Sequence, residues 1–122
     1  MYLVGIDIGG TKTELVILNS QYNNHLDNNH SFSNSNNPVE VIFRRRISTN
    51  RLNGYGKFVV TLSKLFEQSL LETKLRKEEI KGVGIAMPGS VNPKDQLMHN
   101  GNSQFLLQKN ISLDLKNSLQ ID

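Results

Sequence analysis

Apolar residues gather in short runs separated by polar punctuation. "YLVGIDI" (2–8) is short, apolar and β-branched at key positions, and it reads as a buried strand. "GGTK" follows as a turn signal, and "TELVIL" reads as a second strand, so a Gly-Gly turn between two such runs predicts a β-hairpin. Residues 19–37, "NSQYNNHLDNNHSFSNSNN", are dominated by Asn and Ser. They can bury little and are expected as an exposed loop or extended turn inserted between strands. "VEVIFRRRIST" (39–49) resumes β character, with Val39, Val41 and Phe43 alternating toward one apolar face. Arg44, Arg45 and Arg46 break that alternation and mark an edge strand or a strand end meeting water.

Residues 55–75 predict a helix. Phe58, Val59, Leu62, Leu65, Phe66, Ser69 and Leu70 repeat at helical spacing as a core-facing stripe, and Asn53 or Gly54 could cap its start. "LRKEEI" ends the helix or forms a turn of its own. "KGVGIAMPGSV" (81–91) reads as another buried strand, stopped by Met87-Pro88-Gly89. A loop follows, with a short strand allowed at 96–99. "SLDLKNSLQI" has an amphipathic helical pattern, with Ser112 and Asp114 as helix-start residues and Leu113, Leu115 and Leu119 as apolar contacts. The order β-β-β-α-β-α predicts an α/β fold, a mixed sheet with helices packed on it. Its first part is antiparallel, and a crossover helix leads to a parallel strand.

Composition narrows this picture modestly. A chain of 122 residues fits one modest domain rather than a large two-lobed enzyme. The net charge of +3 accompanies no basic stripe extensive enough to argue nucleic acid. The chain has no cysteine, which removes disulfides and thiolate metal sites. No run reaches the ~20 apolar residues of a membrane span, and Asp7 interrupts any secretory h-region, so the cytoplasm is the expected compartment.

The opening hairpin carries the candidate chemistry. A turn tightened over Gly9-Gly10 exposes successive backbone N–H groups with no side chains in the way, a concavity suited to phosphate oxygens. Thr11 and Lys12 add a hydroxyl and a positive charge. A carboxylate beside a phosphate is unfavourable without an intervening cation, so Asp7 suggests Mg²⁺, held directly or through water. The spacing is neither the Gly-x-x-x-x-Gly-Lys-Ser/Thr loop nor the Gly-x-Gly-x-x-Gly dinucleotide turn. Taken alone, Gly-Gly is an ordinary hairpin turn; the acid, threonine and lysine around it make the phosphate reading. His25, His30 and His99 have no partner at metal-ligand spacing.

"GIDIGGTKTELVIL" resembles the first phosphate motif of the ROK family (repressor, open reading frame, kinase), sugar kinases and related repressors on the actin/hexokinase/Hsp70 ATPase fold. "GVGIAMPGSV" is similar to that family's strand and loop at the sugar site. "HNGNSQFLLQKNISLDLKNSL" is similar to the segment in which an Asn faces the sugar and an Asp-Leu begins the next helix. The resemblance extends over nearly the whole chain. It implies a ribonuclease H-like, actin-like ATPase lobe and ATP with Mg²⁺ as cofactors. Gly9, Gly10, Thr11 and Lys12 would lie around the ATP phosphates, and Asp7 would place Mg²⁺, through water. Gly89 and Asn102 would line the sugar pocket.

The family's catalytic base is an Asp in an Asn-Asp-Ala type motif, which on this resemblance falls beyond Asp122. Residues 1–122 are therefore expected to form an N-terminal lobe without its C-terminal lobe, with no appreciable turnover alone. The implied activity is transfer of the ATP γ-phosphoryl group to a hexose or N-acetylhexosamine. Homodimers are common in the resembled family. The alternatives are a fragment of a sugar-sensing regulator or a non-catalytic remnant or split-protein binding module. An intact motif starting at residue 7, with no room before it for a DNA-binding module, favours the kinase.

Overall fold

A computed structural model describes residues 1–20, 39–87, 90–91, 93–94, 97–99 and 109–121. Of the Asn-rich stretch 19–37, Asn19 and Ser20 continue a strand instead of opening the loop expected there, and the rest, together with Pro88, Gly89, Asn102 and Asp122, lies outside the described residues.

Strand β1 (Tyr2–Ile8) pairs antiparallel with β2 (Lys12–Ser20), which pairs antiparallel with β3 (Val39–Ser48); β4 (Ile80–Ala86) lies parallel to β1. The sheet order is β3-β2-β1-β4. The fold is thus the expected mixed sheet, with the parallel strand reached through a helix. β4 stops before Met87, where the sequence placed the break, and two short strands, β5 (Ser90–Val91) and β6 (Met98–His99), pair antiparallel as a separate ribbon.

Alternation decides which side each residue takes. Val4, Ile6 and Ile8 of β1 and Thr13, Leu15 and Ile17 of β2 are buried on one face. The apolar members form one core with Phe43 and the two helices. Val39 and Val41 depart from expectation, being 56% and 46% exposed. The register shifts between Ile17, opposite Phe43, and Leu18, opposite Val41, which leaves Ile42 as an extra residue. This irregularity reverses the phase, so the two valines fall on the face away from the core. The arginines do lie on an edge strand. Arg45, on the core side, reaches over the Phe43 ring, 5.0 Å to the centroid, to an ion pair with Glu72 at 2.8 Å.

Helix α1 (Tyr55–Thr73) buries Phe58, Leu62, Leu65, Phe66, Ser69 and Leu70, the predicted stripe except for half-buried Val59. Each large apolar side chain so buried contributes roughly 1.5–3 kcal/mol relative to exposure. Buried Ser69 satisfies its hydroxyl on the Phe66 carbonyl at 2.6 Å. The helix starts at Gly54, whose φ of 89° suits glycine. It ends in a Schellman arrangement with Lys74 at φ 60°, Leu75 N donating to Leu70 O and Lys74 N to Leu71 O. "KEE" (Lys77–Glu79) forms the separate 3-10 turn allowed for it.

Helix α2 (Ile111–Leu119) begins one step earlier than its sequence suggested. Asn110, not Ser112 or Asp114, is the cap, accepting from Leu113 N at 3.1 Å. That phase buries Ile111, Leu115 and Leu119 and leaves Leu113 50% exposed. Leu115 and Leu119 pack beside Val83 and Ile85, so both helices cover the same sheet face.

Candidate functional site

The hairpin between β1 and β2 closes at the pair Ile8 and Thr13. Within the link, Gly9 N donates to Lys12 O at 2.9 Å. Gly9 is needed here for close approach and not for a left-handed φ: a Cβ would stand 2.6 Å from the Lys12 carbonyl oxygen. Gly10 and Thr11 occupy the tip, and among the described residues neither N–H donates to a protein acceptor. Thr49, just past β3, holds the turn from one side. Its N–H donates to Thr11 O and its hydroxyl to Gly9 O, both at 2.8 Å.

Strand parity gathers the charges beside this turn on the face away from the helices. Asp7 stands opposite Glu14 on β2 and Ala86 on β4, and Glu14 stands opposite Arg46. Lys12 shares that face by alternation. The two acids differ in their commitments. Glu14 Oε2 accepts from Arg46 Nε and Nη2 at 3.2 and 3.1 Å, and its Oε1 lies 3.5 Å from Arg44 Nε. Asp7 is exposed, and among the described residues it has no ion pair. It borders a shallow groove with Gly5, Val16, Gly84 and Ala86. Among the described residues no three or more His, Asp or Glu gather as a metal cluster. One uncommitted carboxylate beside unbonded amides fits a hydrated divalent ion that shares its charge with a bound anion.

The structure therefore brings Asp7, Gly9, Gly10, Thr11 and Lys12 together at one corner of the sheet. Gly89 and Asn102 lie outside the described residues. Sequence reasoning missed Glu14 and Thr49. The alternation that placed Asp7 could have placed Glu14, but nothing local announces Thr49, which reaches the turn from 40 residues away.

Asp114, expected as a helix-start residue, is engaged with the other helix. Tyr55 donates its hydroxyl to Asp114 Oδ2 at 2.5 Å, tying the starts of α1 and α2 together. Burial, then the hydrogen bond and charge of Asp114, push the Tyr55 phenol well above its ordinary range.

No family model matches the sequence, and a comparison with curated proteins finds no match. Solved structures do match. A ROK hexokinase from Thermus thermophilus superposes with a TM-score of 0.67 at 16% identity, over 99% of this chain and 33% of its own. The fold is that of a ROK-kinase lobe. A Listeria monocytogenes protein assigned as an N-acetylmannosamine kinase matches at a TM-score of 0.61 and 20% identity, over 99% of this chain. A Cytophaga hutchinsonii protein assigned as a sugar kinase matches at 0.63 and 20%, over 98%. This chain spans about a third of the length of each of these structures.

Proposed function

We propose that residues 1–122 are the phosphate-binding lobe of an ATP-dependent sugar kinase acting on a hexose or N-acetylhexosamine. The observation that carries this reading is the hairpin tip. There the N–H groups of Gly10 and Thr11, unbonded among the described residues, sit beside exposed Lys12 and beside Asp7, the one acid of the Asp7–Glu14 pair without a cationic partner among those residues. Gly10 and Thr11 offer N–H donors to phosphate oxygens, and Gly9 lets the backbone come close. Lys12 adds positive charge from the same face. Asp7 would hold a divalent ion through water, and that ion would offset the phosphate charge. Bound MgATP would supply the phosphoryl group to be transferred. Gly89 and Asn102 remain the candidates for the sugar wall. The C-terminal lobe of such a kinase would provide the catalytic carboxylate and close over the site, excluding water.

Binding is the property this length of chain can display. Titrating ¹⁵N-labelled protein with ADP and Mg²⁺ should shift the amides of residues 9–12 saturably, and Asp7→Asn should remove most of the Mg²⁺ dependence. No saturable shift at these amides up to about 10 mM, a Kd already weaker than 3 kcal/mol of binding, would overturn the proposal.

A further inference from the structure

We infer that Thr49 is a positioning residue that aims the backbone donors of the Gly9–Lys12 turn, an inference that rests on the phosphate-binding reading above. Thr49 is 3% exposed and Thr13 fully buried, and their hydroxyl oxygens lie 2.8 Å apart. A threonine hydroxyl has one proton to give. Gly9 O can only accept, so the Thr49 proton goes there, across 2.8 Å. The contact with Thr13 must then run the other way, with Thr13 donating to Thr49. The result is a directed chain from Thr13 to Thr49 to Gly9, with every proton placed. In parallel, the Thr49 N–H holds Thr11 O at 2.8 Å.

Peptide planarity turns these two holds into an aim. In a trans peptide the C=O and the following N–H point in opposite directions, and the described chain contains no cis bond. Drawing Gly9 O toward Thr49 directs the Gly10 N–H away from it. Drawing Thr11 O toward Thr49 does the same to the Lys12 N–H. One residue at the end of β3 therefore sets the orientation of two peptide planes in the turn. The Gly10 donor is thereby fixed before any anion arrives, so less ordering has to accompany binding.

Thr49→Val keeps shape and removes the hydroxyl; Thr49→Ser keeps the hydroxyl. Ser69→Ala removes a buried hydroxyl in α1, remote from the turn, and controls for lost stability. By amide-shift titration with ADP and Mg²⁺ on the whole chain, Thr49→Val should weaken binding about tenfold, equivalent to about 1.4 kcal/mol. Thr49→Ser should stay within about twofold of wild type and Ser69→Ala should bind unchanged. If wild type fails to bind, the phosphate reading falls and this inference with it. If wild type binds and Thr49→Val binds equally well, the inference alone is wrong. Should Thr49→Val not fold, wild type decides: the Thr49 amide must shift with the same ligand dependence as Gly10, and a silent Thr49 amide overturns the inference.

Discussion

An alanine at position 9 would place a methyl group where the backbone of its own hairpin already stands. The contact would be 2.6 Å to the Lys12 carbonyl oxygen. That oxygen is the acceptor for Gly9 N–H at 2.9 Å, so it cannot swing aside as a side-chain tip would. The two strand ends must part by several tenths of an ångström. Overpacking of this kind costs about 1–3 kcal/mol, and the stretched hydrogen bond adds about 1 kcal/mol. Stiffening of the unfolded chain by alanine returns about 0.4–1 kcal/mol. The net loss is about 2 kcal/mol, a fraction of an ordinary domain's stability. With a urea slope of about 1.5 kcal/mol/M, the midpoint should fall by about 1.3 M. Urea titration followed by far-ultraviolet circular dichroism measures this directly. Gly56→Ala in α1 is the matched comparison, because a Cβ there meets nothing within 4 Å, and it should gain a few tenths to about 1 kcal/mol. A Gly9→Ala midpoint at or above wild type would refute the close-approach argument, and so would an equal fall for Gly56→Ala.

Three further outcomes follow from the same geometry. Tyr55 is protonated in both folded and unfolded chains below about pH 10, so its bond to Asp114 stabilises the fold fully there. Because the folded phenol titrates higher than the unfolded one, that contribution is lost as pH rises from about 10 through the folded value. Wild type should lose more stability than Tyr55→Phe between about pH 9 and pH 11.5 in urea titrations, and parallel losses would contradict it. Asn110→Ala leaves the Leu113 N–H without its cap; it should cost about 1 kcal/mol and lower Tm by about 3–6 °C in calorimetry. Glu14→Gln breaks exposed ion pairs only, so its cost should stay below about 1 kcal/mol at low salt and shrink at high salt; a loss of several kcal/mol would mean these pairs were misjudged.

The parts of the fold read from sequence were those governed by local periodicity. The α1 stripe and the strands flanking Gly9-Gly10 carry their pattern in consecutive residues, and they form where expected. Where the reading failed, a distant partner intervened. Val39 and Val41 alternate correctly with Phe43 on paper, but the register slip against Ile17 and Leu18 inverts them. Leu113 looked like a core contact until Asn110 set the phase of α2. At the candidate site, the placing of Asp7, Gly9, Gly10 and Lys12 in one hairpin was legible because they are adjacent in sequence. Thr49 was not, since its importance exists only after β3 has paired with β2.

The arginine triplet has a consequence for life before the fold is complete. An edge strand offers a row of unsatisfied backbone groups to any other extended chain. Here a second copy docking on β3 would bring guanidinium groups from both molecules face to face, in a protein whose net charge is already +3. Such self-recruitment is electrostatically penalised, and the penalty acts on partly folded chains as well as native ones. Neutralising the triplet should therefore show as lower solubility during refolding.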